Sequence, residues 1–192
     1  MGMSVEEYRK IISAGERGGI KSATRQLQGK INREYGKYFE EQIEAICEIY
    51  RLNNLAIIEK TPEPMKIIKH IENGHFETVF EKSAQPDFKG VIKGGRTVVF
   101  DAKFTEADRI KYQVLSDFQR EELLGYHALG AMTFVLVGFL DGKMYPVDIE
   151  IWDQMKEKFG RKYIKQEELD EMNLRAKTTK GGVTDFLKIC TK

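Results

Sequence analysis

The longest apolar run in the chain, Ala131 to Leu140, constrains the fold more than any other segment. Only Thr133 and Gly138 interrupt it, so a strand formed here has apolar side chains on both faces. Such a strand is stable only when both faces are covered, which predicts a central strand in a sheet flanked by helices. The run is about half of the ~18–20 residues that a membrane-spanning helix needs, so it is too short to cross a bilayer.

The other periodic segments predict a mixed α/β architecture. Apolar residues recur every three to four positions over about 23–52, which predicts one helix, or two divided at Gly36. The preceding stretch, 14–23, contains three glycines and is expected to be flexible. Asn73-Gly74 indicates a hairpin over 65–82, and Gly94-Gly95 indicates a turn between two short strands. The predicted strands are 55–60, 88–93, 97–103, 131–140 and 144–149, and the later helices are 114–129, 150–159 and 166–173.

Length and cysteine content bound the class of protein. A chain of 192 residues is long enough for one domain with its own core. The two cysteines, Cys47 and Cys190, lie far apart and outside any metal-ligand spacing, which favours a reducing intracellular environment. No apolar segment at the start resembles a signal peptide, so we expect a cytoplasmic protein, and Ser4 to Glu7 predicts a short capped helix instead.

Charge is distributed unevenly along the chain. Residues 1–35 carry a net charge of +3 and residues 173–192 a net charge of +4, whereas residues 36–172 carry −6. Basic ends on an acidic body indicate an anionic partner such as nucleic acid, although basic tails can also be merely solvated.

The residues with the clearest chemistry are Asp87, Asp101 and Lys103. The turn at Gly94-Gly95 makes the two flanking strands a hairpin, so the two carboxylates can converge at one end of the sheet. Asp101 and Lys103 are two residues apart and therefore share a face of their strand. Two adjacent carboxylates repel unless a cation lies between them, and hard oxygen ligands favour Mg²⁺ or Mn²⁺. A lysine beside such a metal can position a water or stabilise charge on a phosphate.

This pattern has an ordinary alternative, because aspartates and lysines at strand ends are common. Context favours the catalytic interpretation. A long helix with Glu40 and Glu41 precedes the sheet, and a helix with Gln119 follows the Asp101 strand. This is the order of elements in the PD-(D/E)xK nuclease core, a restriction-endonuclease-like fold.

Several motifs in one order resemble the RecU-type Holliday junction resolvases of that superfamily. The resemblance runs from about residue 36 to 151, and more weakly to the C-terminus. The matching segments are Gly36-Lys37-Tyr38-Phe39-Glu40, Ala56 to Pro64 with its Lys-x-Pro-x-Pro step, Asp87-Phe88-Lys89-Gly90-Val91, and Phe100-Asp101-Ala102-Lys103 followed by Thr105. Departures include Asp101, where many members have glutamate, and Phe118, where the family has histidine. They indicate a divergent member, such as one encoded by a phage.

The resemblance implies roles for the site residues. Asp87 and Asp101 would be metal ligands together with the Ala102 carbonyl, and Lys103 would be the catalytic lysine. The metal would be Mg²⁺, with Mn²⁺ as a substitute.

A second group of residues is implied at the same site. Glu40, preferred to Glu41, would be the helix carboxylate, and Gln119 would orient a water or contact the scissile phosphate. Lys60 would lie near the scissile strand. The basic charge of residues 1–35, and not the resemblance, makes Arg17, Arg25 and Lys30 candidate DNA contacts. The other candidates are Lys60, Thr105 and Arg109, and a structural role is the favoured interpretation of Thr105.

The resemblance also implies the organisation and activity of the protein. It implies that 36–172 form the nuclease domain, with a protruding hairpin stalk at about 62–82. The flanking segments, a basic arm over 1–35 and a basic C-terminal segment over 173–192, are inferred from their charge. A homodimer would nick four-way junctions in DNA recombination and repair. The sequence leaves open a recombinase or branch-migration helicase as partner. It also leaves open two alternative functions: another PD-(D/E)xK nuclease, or a non-catalytic junction-binding accessory protein.

Overall fold

The computed structural model describes residues 18–62, 65–70, 76–80, 85–179 and 182–187. The helix predicted at Ser4 and the candidate DNA contact Arg17 lie outside these residues. The chain divides into two compact units, residues 1–38 and 39–192. The described residues of the first unit are helical, and the second unit contains the sheets.

One long helix, α1, spans Gly18–Leu52. The prediction of a flexible segment up to residue 23 is wrong, because the helix already begins at Gly18. Gly36 does not divide the helix, since a single glycine weakens a helix by only about 1 kcal/mol and α1 lacks proline. The helix ends before Asn54, whose φ of 54° turns the chain out of the helical path into the first strand.

Eleven strands and four shorter helices follow α1 among the described residues. The strands are β1 (Ala56–Lys60), β2 (Met65–His70), β3 (Phe76–Phe80), β4 (Phe88–Ile92), β5 (Thr97–Thr105), β6 (Arg109–Lys111), β7 (Met132–Phe139), β8 (Met144–Asp148), β9 (Tyr163–Lys165), β10 (Lys177–Thr178) and β11 (Thr184–Asp185). The helices are α2 (Asp117–Ala128), α3 (Ile149–Asp153), α4 (Met155–Phe159) and α5 (Gln166–Glu171), with a 3-10 turn over Tyr112–Val114.

The main sheet has five strands in the order β1-β4-β5-β7-β8. Strand β7 pairs in parallel with β5 and antiparallel with β8, so the sheet is mixed. Every residue of β7 is buried, as expected from its continuous apolar sequence. The predicted α/β fold with a mixed central sheet is confirmed.

Alternating side chains of the sheet form two separate cores. On the α1 face, Phe100 and Phe134 pack with Phe39 and Ile43 of α1. On the α2 face, Val99 packs with Leu123 of α2. Consecutive residues of β5 therefore project alternately toward α1 and α2, which fixes the side of the sheet on which each of its polar residues lies.

The remaining elements include some that the sequence did not predict. Strands β2 and β3 pair antiparallel as the expected hairpin, whose Asn73-Gly74 turn lies outside the described residues. The single helix expected over 150–159 is two short helices, α3 and α4, separated at Gln154. The two-stranded sheets β6–β9 and β10–β11 were not predicted. Across the described residues, no helix has the length and apolarity needed to cross a membrane.

Candidate active site

Asp87 and Asp101 lie side by side on adjacent strands. Strands β4 and β5 are antiparallel, with Phe88 opposite Phe100. Asp87 precedes the first of these residues and Asp101 follows the second, so the two aspartates lie at the same level of the sheet. The Ala102 backbone N–H donates a hydrogen bond of 2.9 Å to Asp87 Oδ2, which fixes this carboxylate against the neighbouring strand.

A stack of aromatic rings supports the two strands from the α1 face. The ring of Phe100 lies 4.9 Å from that of Phe88 and 4.7 Å from that of Phe134, with 9° between the planes in each pair. Phe186, near the C-terminus, packs edge-on against Phe100 at 5.5 Å. Because Phe88 and Phe100 directly adjoin the two aspartates in sequence, this buried stack holds the carboxylate-bearing backbone in register.

Asp101 is a fully buried carboxylate with two different partners. Gln119 Nε2 donates to Asp101 Oδ1 at 2.9 Å, and the Lys103 ammonium forms an ion pair with Oδ2. Burial, reinforced by the nearby charge of Asp87, raises the pKa of Asp101 to about 7, although Lys103 opposes the shift. A cation bound beside Asp87 and Asp101 would relieve the repulsion between the two carboxylates and favour the charged form of Asp101.

Gln119 owes its orientation to the start of α2. Ser116 caps this helix, and its hydroxyl accepts a hydrogen bond from the Gln119 backbone N–H at 3.2 Å. Gln119 Oε1 in turn accepts from the Ser116 backbone N–H and hydroxyl, at 3.3 and 3.1 Å. With its oxygen engaged at the cap, the amide of Gln119 presents its nitrogen to Asp101. The sequence pointed to Gln119 through the family motif, but the reciprocal cap that orients it was not predicted.

Lys103 shares the α2 face of β5 with Asp101, as the spacing of two residues predicted. Its side chain is 20% exposed, whereas that of Asp101 is completely buried. The ammonium therefore lies at the boundary between the buried carboxylate and solvent.

Glu40 and Lys60 form a separate cluster. Lys60 Nζ lies 2.8 Å from Glu40 Oε2 and 3.2 Å from Glu44 Oε1. The hydrogen bond to Glu40 raises the pKa of Lys60, and its burial opposes the shift only partly. Lys60 lies two residues after Ile58 on β1 and therefore shares the face of this strand that packs on the α1-side core. The contact that the structure shows for Glu40 is with Lys60. Glu44 was missed, although its spacing of four from Glu40 was visible in the sequence.

The candidate DNA contacts have diverse surroundings. Thr105 makes structural hydrogen bonds of 3.2 Å, from its hydroxyl to the Arg109 carbonyl and from the Ala107 N–H to its oxygen. Arg109 pairs with Asp108 at 2.8 Å. Lys30 is exposed on α1, and the side chain of Arg25 lies outside the described residues.

The oxygen-rich centre of the site is Asp87, Asp101 and the backbone between them. The described part of the chain contains no group of three or more His, Cys, Asp or Glu side chains arranged to hold a metal. A cation bound here would therefore take two carboxylates and complete its shell with backbone carbonyl oxygen and water, as hard divalent ions commonly do. Carboxylates that hold such a cation beside a lysine are suited to hydrolysis of a phosphate ester.

Comparison with known proteins identifies the family. The family model of Recombination protein U, RecU, matches residues 34–192. The Holliday junction resolvase RecU of Bacillus subtilis (strain 168) is 30% identical over 150 residues, covering 71% of this chain and 69% of that protein. The protein of the same name from Bacillus licheniformis is 28% identical over 162 residues, covering 79% and 80%.

Among solved structures, Hjc, a Holliday junction resolvase from Archaeoglobus fulgidus, matches with a TM-score of 0.41 and 12% identity over 61% of this chain and 75% of its own. That likeness is too low to add to the assignment. The family model covers most of the chain and includes every residue of the Asp87–Asp101 site. The resemblance seen in the sequence is thereby confirmed, and the chain belongs to the RecU family of recombination proteins.

Proposed function

We propose that this protein is a divalent-metal-dependent endonuclease that resolves four-way DNA junctions. One observation carries the proposal: in a chain of the RecU family, the buried carboxylate of Asp101 lies between Lys103 and Gln119 and beside Asp87. Two relatives bear the name Holliday junction resolvase, which supports the junction as substrate. Burial of charged groups costs free energy, and clusters of carboxylates with perturbed pKa values are concentrated at functional sites.

The donor atoms of the site fit a hard divalent cation. Asp101 is a buried carboxylate, and the Asp87 carboxylate lies close enough to raise its pKa, so a cation between the two would relieve their repulsion. We assign both carboxylates and the Ala102 carbonyl as ligands, with Mg²⁺ as the ion and Mn²⁺ as its substitute. When bound, such a cation polarises the scissile phosphate and lowers the pKa of a water molecule.

The side chains around the carboxylates have separate tasks in this proposal. Lys103, partly exposed, orients the attacking water or stabilises the negative charge that develops on the phosphate. Gln119 holds the Asp101 carboxylate in one orientation through its 2.9 Å hydrogen bond. Glu40 and Lys60 form an ion pair at the end of β1 and remain candidates for contact with the scissile strand.

Junction specificity follows from shape and symmetry in this proposal. A homodimer with two-fold symmetry presents two identical sites, which a four-way junction can match with two strands of like polarity. In this proposal the protein recognises the geometry of the DNA backbone and not the base sequence. The hairpin within 62–82 and the basic segments 1–35 and 173–192 are the proposed additional contacts around the nuclease domain of residues 36–172.

The direct test is cleavage of an immobile four-way junction and of a linear duplex with the same arm sequences. Reactions contain Mg²⁺ or EDTA, and the enzyme is wild type or the Lys103→Ala variant. Symmetric nicks in the junction alone, lost in EDTA and in the variant, support the proposal. Equal cutting of both substrates indicates a general nuclease, and tight junction binding without cutting under Mg²⁺ or Mn²⁺ indicates an accessory protein.

A further inference from the structure

The two-stranded sheet β6–β9 has an exposed face lined with cations and aromatic rings. We propose that this face, together with Arg161 and Lys162 just before β9, binds backbone phosphates of a DNA arm that leaves the active site. We call β6, β9 and these two residues the ribbon, and we propose it as a DNA-binding surface. The inference rests on the proposed function and adds where the substrate is gripped beside the site.

The ribbon has a buried side and an exposed side. Ile110 and Ile164 face each other in the ladder and are only 1% and 0% exposed. Because successive residues of a strand project to opposite faces, the flanking residues of both strands point away from the core. These outward residues are Arg109, Lys111, Tyr163 and Lys165, and each of them is at least partly exposed.

Aromatic rings hold several of the cations in place. The guanidinium groups of Arg161 and Arg109 lie 4.7 and 5.1 Å from the centre of the Tyr163 ring. Lys162 Nζ lies 5.0 Å from the centre of the Tyr112 ring, on the residue that follows β6. A cation already restrained over a ring loses less side-chain freedom when a phosphate binds, so the ribbon is better organised for an anion than a set of mobile surface lysines.

Two of the five cations of the ribbon have no carboxylate partner among the described residues. Three of its five cations pair with flanking acids: Arg109 with Asp108, Arg161 with Glu168 and Lys165 with Glu167. The other two, Lys111 and Lys162, make no ion pair with a described carboxylate and are exposed. The segment 36–172 carries a net charge of −6. Two lysines without a carboxylate partner in the described part of the chain are a favourable place for a phosphate backbone on this acidic body.

The ribbon also lies close to the catalytic strand along the chain. Arg109 follows Lys103 by six residues, which limits their separation to about 20 Å even for a fully extended chain. The hydrogen bond from the Thr105 hydroxyl to the Arg109 carbonyl folds the segment between them into a turn, so the distance from Lys103 to Arg109 is shorter than this limit. With phosphates spaced about 3.4 Å along each strand, the ribbon falls within roughly six nucleotides of the catalytic lysine.

The test measures how binding depends on salt. Junction affinity is determined in EDTA, where no cutting occurs, between 50 and 200 mM NaCl for wild type and for Lys111→Ala, Lys162→Ala and their double variant. Each lost phosphate contact to duplex DNA lowers the slope of log affinity against log salt by about 0.9. Raising NaCl from 50 to 200 mM weakens binding by wild type and by the double variant. The factor by which the double variant weakens is expected to be about 10-fold smaller. The Lys111→Arg and Lys162→Arg variants are expected to keep the wild-type slope.

Lys93 provides the matched control. It is an exposed lysine just after β4, at the turn end of the β4–β5 hairpin and away from Asp87 and Asp101. The Lys93→Ala variant is expected to retain the wild-type slope. An unchanged slope in the double variant, or an equal loss in Lys93→Ala, would overturn the ribbon proposal. Nicking by wild type in Mg²⁺ is scored separately, so an enzyme that cuts junctions without using the ribbon is distinguished from one that binds through the ribbon but does not cut.

Discussion

The amide of Gln119 donates a 2.9 Å hydrogen bond to the carboxylate of Asp101, in a place where both side chains are buried. This contact joins the start of α2 to the middle of β5, two elements that are separated along the chain by the turn before β6 and the 3-10 segment. It also leaves the second oxygen of Asp101 directed at Lys103. The start of α2 thereby fixes which carboxylate oxygen of Asp101 faces Lys103.

Replacing Gln119 tests this relationship. In Gln119→Ala the buried Asp101 oxygen loses its neutral donor, which costs about 1–3 kcal/mol for an unsatisfied buried group. We expect nicking of a junction to fall by roughly 10- to 100-fold. The measurement is single-turnover nicking with saturating enzyme. Phe118→Ala, on the same helix turn but 44% exposed, is the control and should change the rate far less.

Lys103→Ala removes the only cation seen against Asp101 among the described residues. If Lys103 acts on the water or the phosphate, nicking falls by roughly 10²- to 10⁴-fold, the range for loss of a positioned catalytic group. Junction affinity in EDTA should change by less than a factor of about ten, since one charge among many phosphate contacts is lost. A variant that cuts at a near-normal rate would remove Lys103 from the catalytic group.

The sequence predicted those parts of the fold and site that depend on local patterns. The apolar run of β7 predicted a central strand, and the turn at Gly94-Gly95 predicted the β4–β5 pairing. Once these strands are paired, the alternation of side chains brings Asp87 and Asp101 together and leaves Lys103 on the same face. The family motifs added Gln119, which no periodicity distinguishes from an ordinary polar helix residue.

Other features depend on contacts that a local pattern does not encode. Strands β6 and β9 have three residues each and pair across more than fifty intervening positions, so neither carries a recognisable period. The helix predicted over 150–159 divides at Gln154, where the sequence has no proline or glycine to indicate a break. Lys60 was expected near the scissile strand, but its pairing with both Glu40 and Glu44 depends on how β1 packs beside α1.

Glu40 and Glu44 offer a matched pair of substitutions, because both carboxylates contact Lys60. If Glu40 acts at the site, Glu40→Gln lowers nicking by roughly 10²-fold or more. Glu44→Gln removes only an exposed ion-pair partner worth about 0–1 kcal/mol, so its rate should remain within several-fold of wild type. Equal, small effects in the two variants would show that Glu40 serves only to hold Lys60.

The lowered pKa of Glu168 predicts how the free energy of unfolding depends on pH. Its burial favours the neutral form, but the Lys165 backbone N–H and Arg161 stabilise the carboxylate more, so the pKa of Glu168 is lowered in the folded protein. A lowered pKa adds stability that is fully present above the unfolded value of about 4.5 and disappears as the pH falls through the folded value. Thermal unfolding of Glu168→Gln should therefore differ most from wild type near pH 7, and the difference should shrink as the pH falls below the unfolded value of 4.5. A gap that widens in acid would contradict this sign.

Gly90, within the Asp87-to-Val91 motif, is required by packing between strands. A Cβ at this position would lie 2.1 Å from the Ile57 carbonyl oxygen and 2.6 Å from the Ile58 Cα, both backbone atoms of β1. Since backbone cannot rotate away as a side chain can, Gly90→Ala should destabilise the fold by about 1–3 kcal/mol or displace β1 from β4. Gly125→Ala is the control, because nothing lies within 4 Å of its added Cβ on α2, and it should stabilise by about 0.5–1 kcal/mol. Urea unfolding of both variants checks the prediction, and a neutral Gly90→Ala would mean that β1 packs less closely on β4 than the structure shows.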